Sequence, residues 1–447
     1  MSKKEFEQVW HAVSRLRGAF EITDMLKLVM YLLLLKHIEN NKNEFEMYDD
    51  KYSLDYLALT YGVLVQACDV SDYICKIEKE MNLERGIMSE SVFSIFAKMN
   101  KEKVVGICNA LKVIEFSKEL TCFDCATVMI EKTISEMGRR GGEFATNYSL
   151  AKLEAALLNV EEGMSVYDAY CGVGVSSNLA AGNKGTIFIQ DINIGTVCIA
   201  AILTVLNKTS IGAIKCGDSI LNPIGQKEKY DRVIMEPPFG VKYEKMFLEN
   251  LVSDSIIYAD NLDSETFAIR HAISSIKESG MAIVLVPMGV LFKSGKTGEI
   301  RERLIDDNYI DSIIELPAGV ITGTGIPVAL MILKKNKVNH SIFMVDAKSF
   351  FEKDNKRLVS INDKMISNVS DIFSNKEPEE GISKFVEVEE INNNDCNLCP
   401  MQYLTSKGTE NIEVEDITVY VNQNNELSEK LSELEKKLSE IRARFVK

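Results

Sequence analysis

Between residues 165 and 345 the chain repeats one pattern, a short run rich in Val and Ile followed by a segment long enough for a helix. The runs are Ser165 to Asp168, Thr186 to Asp191, Ala213 to Cys216, Arg232 to Met235, Met281 to Val286, Ile310 to Leu316, Ala329 to Lys334 and Ser341 to Val345. Strands that are apolar on both sides must be covered on both faces, and helical crossovers provide that cover. The pattern therefore predicts an α/β fold with a doubly wound, mostly parallel sheet.

The flanks read differently. Residues 1–135 hold no proline and carry apolar residues at three- and four-residue steps, as in Phe6, Val9, Trp10, Val13, Leu16 and then Ile22, Met25, Leu26, Val29. That is the period of amphipathic helices, so an all-helical N-terminal domain is expected over 1–135 and the sheet domain over 136–346. Residues 347–447 turn polar and acidic. Their end shows Leu427, Leu431, Leu434, Leu438, Ile441 and Phe445 at alternating steps of four and three, the seam of a coiled-coil-like helix or of a helix lying on its own domain.

A net charge of −15 argues against a chain that grips nucleic acid over its whole surface, because phosphate neutralisation needs clustered Lys and Arg. No apolar run reaches the ~20 residues of a membrane span, and the polar start is no secretion signal, so a soluble cytoplasmic protein is expected. Ten cysteines fit a reducing compartment. Two pairs, Cys122 with Cys125 and Cys396 with Cys399, have the spacing of zinc ligands, but they lie far apart and lack a neighbouring His, so no metal is expected.

The chemistry gathers at strand ends. The first strand leads into Asp168-Ala-Tyr-Cys-Gly172-Val-Gly174, where glycines allow a tight turn and close approach to a ligand at the carboxyl edge of the sheet. Position 177, where a dinucleotide fingerprint has a third glycine, is Ser, and no phosphate-binding lysine follows. The second strand ends at Asp191, about twenty residues beyond Gly172, the offset of a carboxylate that takes both ribose hydroxyls of an adenosine. The third ends beside Asp218, which suits an adenine amino group. Each acid is also an ordinary helix cap. The fourth ends in Glu236-Pro237-Pro238-Phe239, where two prolines remove donors and stiffen the exit, and an aromatic face follows.

Residues 165–240 resemble the motifs of S-adenosylmethionine-dependent amino-methyltransferases acting on DNA, and most of the chain resembles the modification subunit of type I restriction systems, N6-adenine methyltransferases. Gly142-Glu-Phe144-Ala-Thr146 is similar to the segment that lines the methionine end of that cofactor. Val286 to Phe292, Ile300-Arg301, Glu315-Leu316-Pro317, Thr324 to Pro327 and Asn397 to Tyr403 are similar to later stretches in the same order, and Trp10 to Lys36 resembles the helical N-terminal domain. The resemblance implies a Rossmann-like fold, S-adenosyl-L-methionine held by Phe144, Thr146, Asp168, Gly172, Gly174, Asp191 and Asp218, and transfer of methyl to the amino group of an adenine flipped out of double-stranded DNA. Glu236 and Pro237 would accept from the amino group while Phe239 stacks on the base. It also implies a specificity subunit, met through the C-terminal helix, and a restriction endonuclease subunit where the system has one.

Three residues depart from that pattern: Asn147 and Ala169 replace prolines, and Glu236 stands where the family has Asn or Asp. The extra methylene displaces the acceptor by ~1.5 Å, and misplacement of ~1 Å costs about a hundredfold in rate. A second reading is therefore a subunit that keeps the pocket but serves in DNA binding or assembly. A third is methyl transfer to RNA or to protein glutamine. Arg139, Arg140, Lys293 and Lys296 are candidates for phosphate contacts or plain solvated charge.

Overall fold

The computed structural model describes residues 3–15, 20–117, 120–137, 146–224, 229–242, 263–321, 324–350, 352–353, 359–360 and 362–404. All eight expected strands form: β1 (Ser165–Asp168), β2 (Thr186–Asp191), β3 (Ser210–Cys216), β4 (Tyr230–Met235), β5 (Ile276–Pro287), β6 (Ile310–Glu315), β7 (Val328–Lys334) and β8 (Ser341–Asp346). A two-residue pair, β9 (Glu352–Lys353) and β10 (Val359–Ser360), lies outside the sheet, and β11 (Ser383–Glu387) joins it.

The nine strands run in the order β11-β8-β6-β7-β5-β4-β1-β2-β3. From β1 the chain steps outward through β2 and β3, all parallel, and then returns to β4 on the other side of β1. This reversal opens a crevice at the carboxyl ends of β1 and β4, the place where open α/β sheets bind ligands. β7 is inserted antiparallel between β5 and β6, so the sheet is mixed.

Alternate strand residues point to opposite faces. Val166, Ile234, Ile283 and Leu330 join one apolar cluster, whereas Tyr167, Val233, Val284 and Met331 join another. The first face is covered by helices Tyr148–Leu158, Val175–Ala181 and Ile194–Leu206, the second by Ser264–Ser275 and Lys296–Asp306.

Helix Ile194–Leu206 explains how the N-terminal helices relate to the sheet. Its residues from Thr196 to Leu206 are all buried, because it rests on β2 and β3 below and on helix Ile22–Asn40 above. The apolar run from Leu28 to Leu35 is buried in turn, and the Tyr31 hydroxyl meets Cys198 Sγ at 2.9 Å. The helices before residue 137 and the sheet thus share one apolar core; the change at 135 is a change of secondary structure, not a break in packing.

The expected change of region at 347 falls inside the sheet. β11 pairs antiparallel with β8, Ser383 opposite Val345 and Glu387 opposite Ser341, and helix Asp363–Asn375 packs on helix Tyr148–Leu158. The chain through Leu404 forms one compact unit. β11 is short and only half-buried within an acidic stretch, which hides its strand signal. The seam from Leu427 to Phe445 lies outside the described residues. Among those described, no helix is long and apolar enough to cross a membrane.

Candidate active site

The crevice is a cavity of about 1180 Å³. Its floor is built by the loops that leave β1, β2, β3 and β4, and helix Ile22–Asn40 adds Thr23 and Lys27 to one wall.

At the β1 exit Gly172 adopts φ +51°, and its amide donates to Asp191 Oδ2 at 2.9 Å. Gly172 lines the cavity, whereas Gly174 does not: it caps helix Val175–Ala181 at φ +77°, and a Cβ there would sit 2.9 Å from Ala200 Cβ. Gly174 therefore serves close packing of the loop on helix Ile194–Leu206. Asp168 is buried under the same loop, accepting from the Tyr170 amide at 3.1 Å, and is also absent from the cavity wall.

Asp191 stands at the wall with Oδ1 accepting from the Asn193 amide (2.9 Å) and the Thr196 hydroxyl (3.1 Å). Asp218 folds an Asx turn, Oδ1 taking the Ile220 amide at 2.8 Å. The exposed side chain of Ile192 and the buried Ile220 line the cavity beside these acids.

At the β4 exit Glu236, Pro237, Pro238 and Phe239 all line the cavity. Ser264 Oγ donates to the Pro238 carbonyl, and the Gly240 amide donates to Glu265 Oε1 at 2.8 Å, which fixes the loop to helix Ser264–Ser275. Glu236 is half-buried and keeps surface on the cavity. Its Oε2 accepts from Thr146 Oγ1 (2.7 Å) and its Oε1 from Ser176 Oγ (2.9 Å). Burial pushes its carboxyl up from the ordinary range, while both hydroxyls pull it down by bonding to the ionised form.

Asn147 has a defined role of its own. Its Oδ1 caps helix Tyr148–Leu158 by accepting from the Leu150 amide at 2.8 Å, and its amide nitrogen donates to the Val320 carbonyl. Phe144, Arg139 and Arg140 lie outside the described residues, and Lys293 and Lys296 are exposed away from the cavity wall. Cys122 and Cys125 sit in one apolar cluster while Cys396 and Cys399 pack against the other.

The structure thus brings together Thr146, Gly172, Asp191, Asp218 and Glu236 to Phe239. The profile of the N-6 DNA methylase family matches residues 124–412. The chain belongs to that family. It is 25% identical over 415 residues to the type I restriction enzyme MpnII methylase subunit of Mycoplasma pneumoniae, covering 83% of this chain and 76% of that one. It is 26% identical over 460 residues to the MjaVIII methylase subunit of Methanocaldococcus jannaschii, covering 91% and 78%. The crystal structure of the type I restriction-modification system methyltransferase subunit from Streptococcus thermophilus superposes with a TM-score of 0.73 at 22% identity, covering 91% of this chain and all of that one. That likeness is one of fold.

Arg301, one of the residues on which the resemblance rests, is buried and bonds to the carbonyls of Cys396, Val290 and Lys293 at 2.6, 3.0 and 2.9 Å. It ties the exit of β5 to the segment before Tyr403, a structural bond within the region that the N-6 DNA methylase profile matches. Thr23 and Lys27 on the wall escape sequence reading, as do Ser176 and Glu154 behind Glu236. Glu154 did leave a signal, a charge on a helix face otherwise made of Leu150, Ala151, Leu153, Leu157 and Leu158.

Proposed function

We propose that the chain is the methyltransferase subunit of a type I-like restriction-modification complex, transferring methyl from S-adenosyl-L-methionine to the exocyclic amino group of a flipped adenine in double-stranded DNA. The observation that carries this reading is the charge of the cavity. Its wall holds the carboxyls of Asp191, Asp218 and Glu236 and, among the described residues, the single basic side chain of Lys27. Such a wall repels a phosphate-bearing cofactor and suits a cationic one.

When bound, the cofactor supplies a methyl group on a sulfonium whose C–S electron pair leaves with sulfur. Asp191 is set to hold the ribose, with Ile192 and Ile220 as apolar neighbours for the adenine and Asp218 for its amino group; Thr146 stands toward the methionine end. Phe239 offers its ring to the target base. Glu236 accepts from the base's amino group, assisted by the Pro237 carbonyl, so that the nitrogen lone pair is directed at the methyl carbon. Catalysis is then chiefly positioning.

With a net charge of −15 on the chain, the reading assigns sequence recognition to a specificity subunit met through the seam from Leu427 to Phe445. Long-read sequencing of host DNA tests the function directly. Modified adenines at one motif should vanish when the gene is deleted, and an unchanged pattern would overturn the reading.

A further inference from the structure

Helix Tyr148–Leu158 turns an apolar face to the core and places Glu154 within it. Glu154 is wholly buried, and neither of its oxygens receives a hydrogen bond. Its polar surroundings are the Glu236 carboxyl, the Ser176 hydroxyl and, acting through its charge, Asp168. The Ser176 hydrogen goes to Glu236 at 2.9 Å and is not available to Glu154.

A carboxylate is an acceptor only, so Glu154 and Glu236, close enough to hydrogen-bond, can do so only if one of them carries a proton. Two carboxyls packed together, one of them wholly buried, do not readily both ionise. Thr146 and Ser176 both donate to Glu236, which favours the charge there and the proton on Glu154. Burial, and then the charge of Glu236, hold Glu154 well above the usual carboxyl range. The same two causes raise Asp168. Among the described residues, the groups acting on the pair are Thr146 before the helix, Ser176 from helix Val175–Ala181 and Asp168 from β1, with Asp191 of β2 acting on Asp168 in turn; none of these is basic.

We propose that Glu154 is a positioning residue for Glu236: it keeps its proton, hydrogen-bonds to Glu236 and leaves Glu236 as the one ionised carboxylate at the back of the cavity, set to take the proton that the substrate amino group gives up. The proposal rests on the methyl-transfer reading above. Exchange of one N–H for N–CH3 releases one proton. The nitrogen lone pair forms the N–C bond, the N–H electron pair returns to nitrogen, and Glu236 takes the proton, becoming neutral until product release passes it to water. The unusual glutamate is in this view half of a built pair, and the pair gives it a chemical task that an amide side chain does not perform.

The test uses the full chain as wild type, E154Q and E154L. A buried acid raised in the folded state gives stability that is present at low pH and lost as pH climbs above the ordinary carboxyl range, by up to about tenfold in the folding equilibrium per pH unit. E154Q carries a permanent neutral donor of the same shape, so it should melt later than wild type by a margin that widens as pH rises. A margin that does not change with pH overturns the proposal. Infrared spectra give an independent reading in a D168N background, which removes Asp168, the other buried carboxyl held well above the usual range. An alkaline pH jump should convert a protonated-carboxyl band to carboxylate, and absence of that band overturns the proposal whether or not E154Q folds. In the reconstituted complex E154Q should methylate duplex DNA within a few-fold of wild type, whereas E154L, which has no donor, should be slower by about tenfold or more. Equal rates for E154L overturn the positioning role. If no protein methylates DNA while the band and the widening margin are present, the methyl-transfer reading fails, and the proton-accepting role with it, but the shared proton stands.

Discussion

Thr146 and Glu236, 90 residues apart in sequence, are joined by a hydrogen bond of 2.7 Å from the threonine hydroxyl to the carboxylate. The bond links the segment that enters the first helix of the sheet region to the exit of β4. It also places a donor on the long side chain that stands where the resemblance implies Asn or Asp. With Ser176 on the other oxygen, Glu236 sits in a two-hydroxyl cradle.

The cradle is open to a conservative test. A hydrogen bond to a charged group contributes ~1.5–3 kcal/mol, so Thr146→Val should lower the turnover of methyl transfer by roughly tenfold or more, and Thr146→Ser should restore most of it. Calorimetry on the same variants separates this from cofactor binding. A Thr146→Val enzyme with normal turnover would show that the bond does not orient Glu236.

Glu236→Asn reverses sign between the two descriptions of the site. Read from sequence as a misplaced acceptor, the glutamate is improved by shortening. Held by Thr146 and Ser176, it is the acceptor for which this wall is shaped, and shortening withdraws it from both hydroxyls. The expected outcome is slower methylation, by about 10²–10⁴ if proton acceptance is lost with the carboxylate, a loss that persists at saturating cofactor. Faster methylation by the Asn variant would restore the misplaced-acceptor account.

Asp191 is expected to carry cofactor affinity. Loss of a charged acceptor for ribose hydroxyls removes ~1.5–3 kcal/mol, so Asp191→Ala should bind S-adenosylmethionine at least about tenfold more weakly by calorimetry. Because Asp191 also braces the Gly172 and Asn193 amides, Asp191→Asn should lie between the two. Equal affinity in all three proteins would remove the assignment.

Phe239 is placed to stack on an extruded base. Stacking on an aromatic side chain is worth ~1–3 kcal/mol per base, so Phe239→Ala, measured where the protein remains folded because the ring also packs against the core, should reduce the fluorescence rise of 2-aminopurine at the target position. The same signal in both proteins would count against stacking.

The shared core makes a prediction about stability. Leu33 is fully buried in helix Ile22–Asn40, which packs on helices Cys122–Met137 and Ile194–Leu206, and Leu→Ala at such a site costs ~2–5 kcal/mol. Leu33→Ala should lower one cooperative transition, seen alike by calorimetry and near-ultraviolet dichroism. A chain beginning at residue 138 should aggregate, because it uncovers a helix that is apolar all round. Two separate transitions, or a well-behaved fragment, would show that the helical region folds by itself.

What the sequence determined by itself is local. Alternating apolar runs specify strands, turn residues specify their exits, and an open sheet gathers exits at one edge, so Gly172, Asp191, Asp218 and the Glu236 to Phe239 run were bound to meet once the strand order placed β1 at the switch point. What only the tertiary structure decided is what stands opposite each face. Periodicity says that a residue is buried, not against what. Gly174 packs on Ala200, not on the cavity; Thr23 and Lys27 reach the wall from a helix more than a hundred residues earlier; β11 completes a sheet from an acidic stretch with little strand signal. Glu154 shows the reason most plainly. On its helix it is one charge among leucines, and it acquires a chemical meaning only because the sheet order brings Glu236 to face it, a contact set by packing across long separations, which no local pattern encodes.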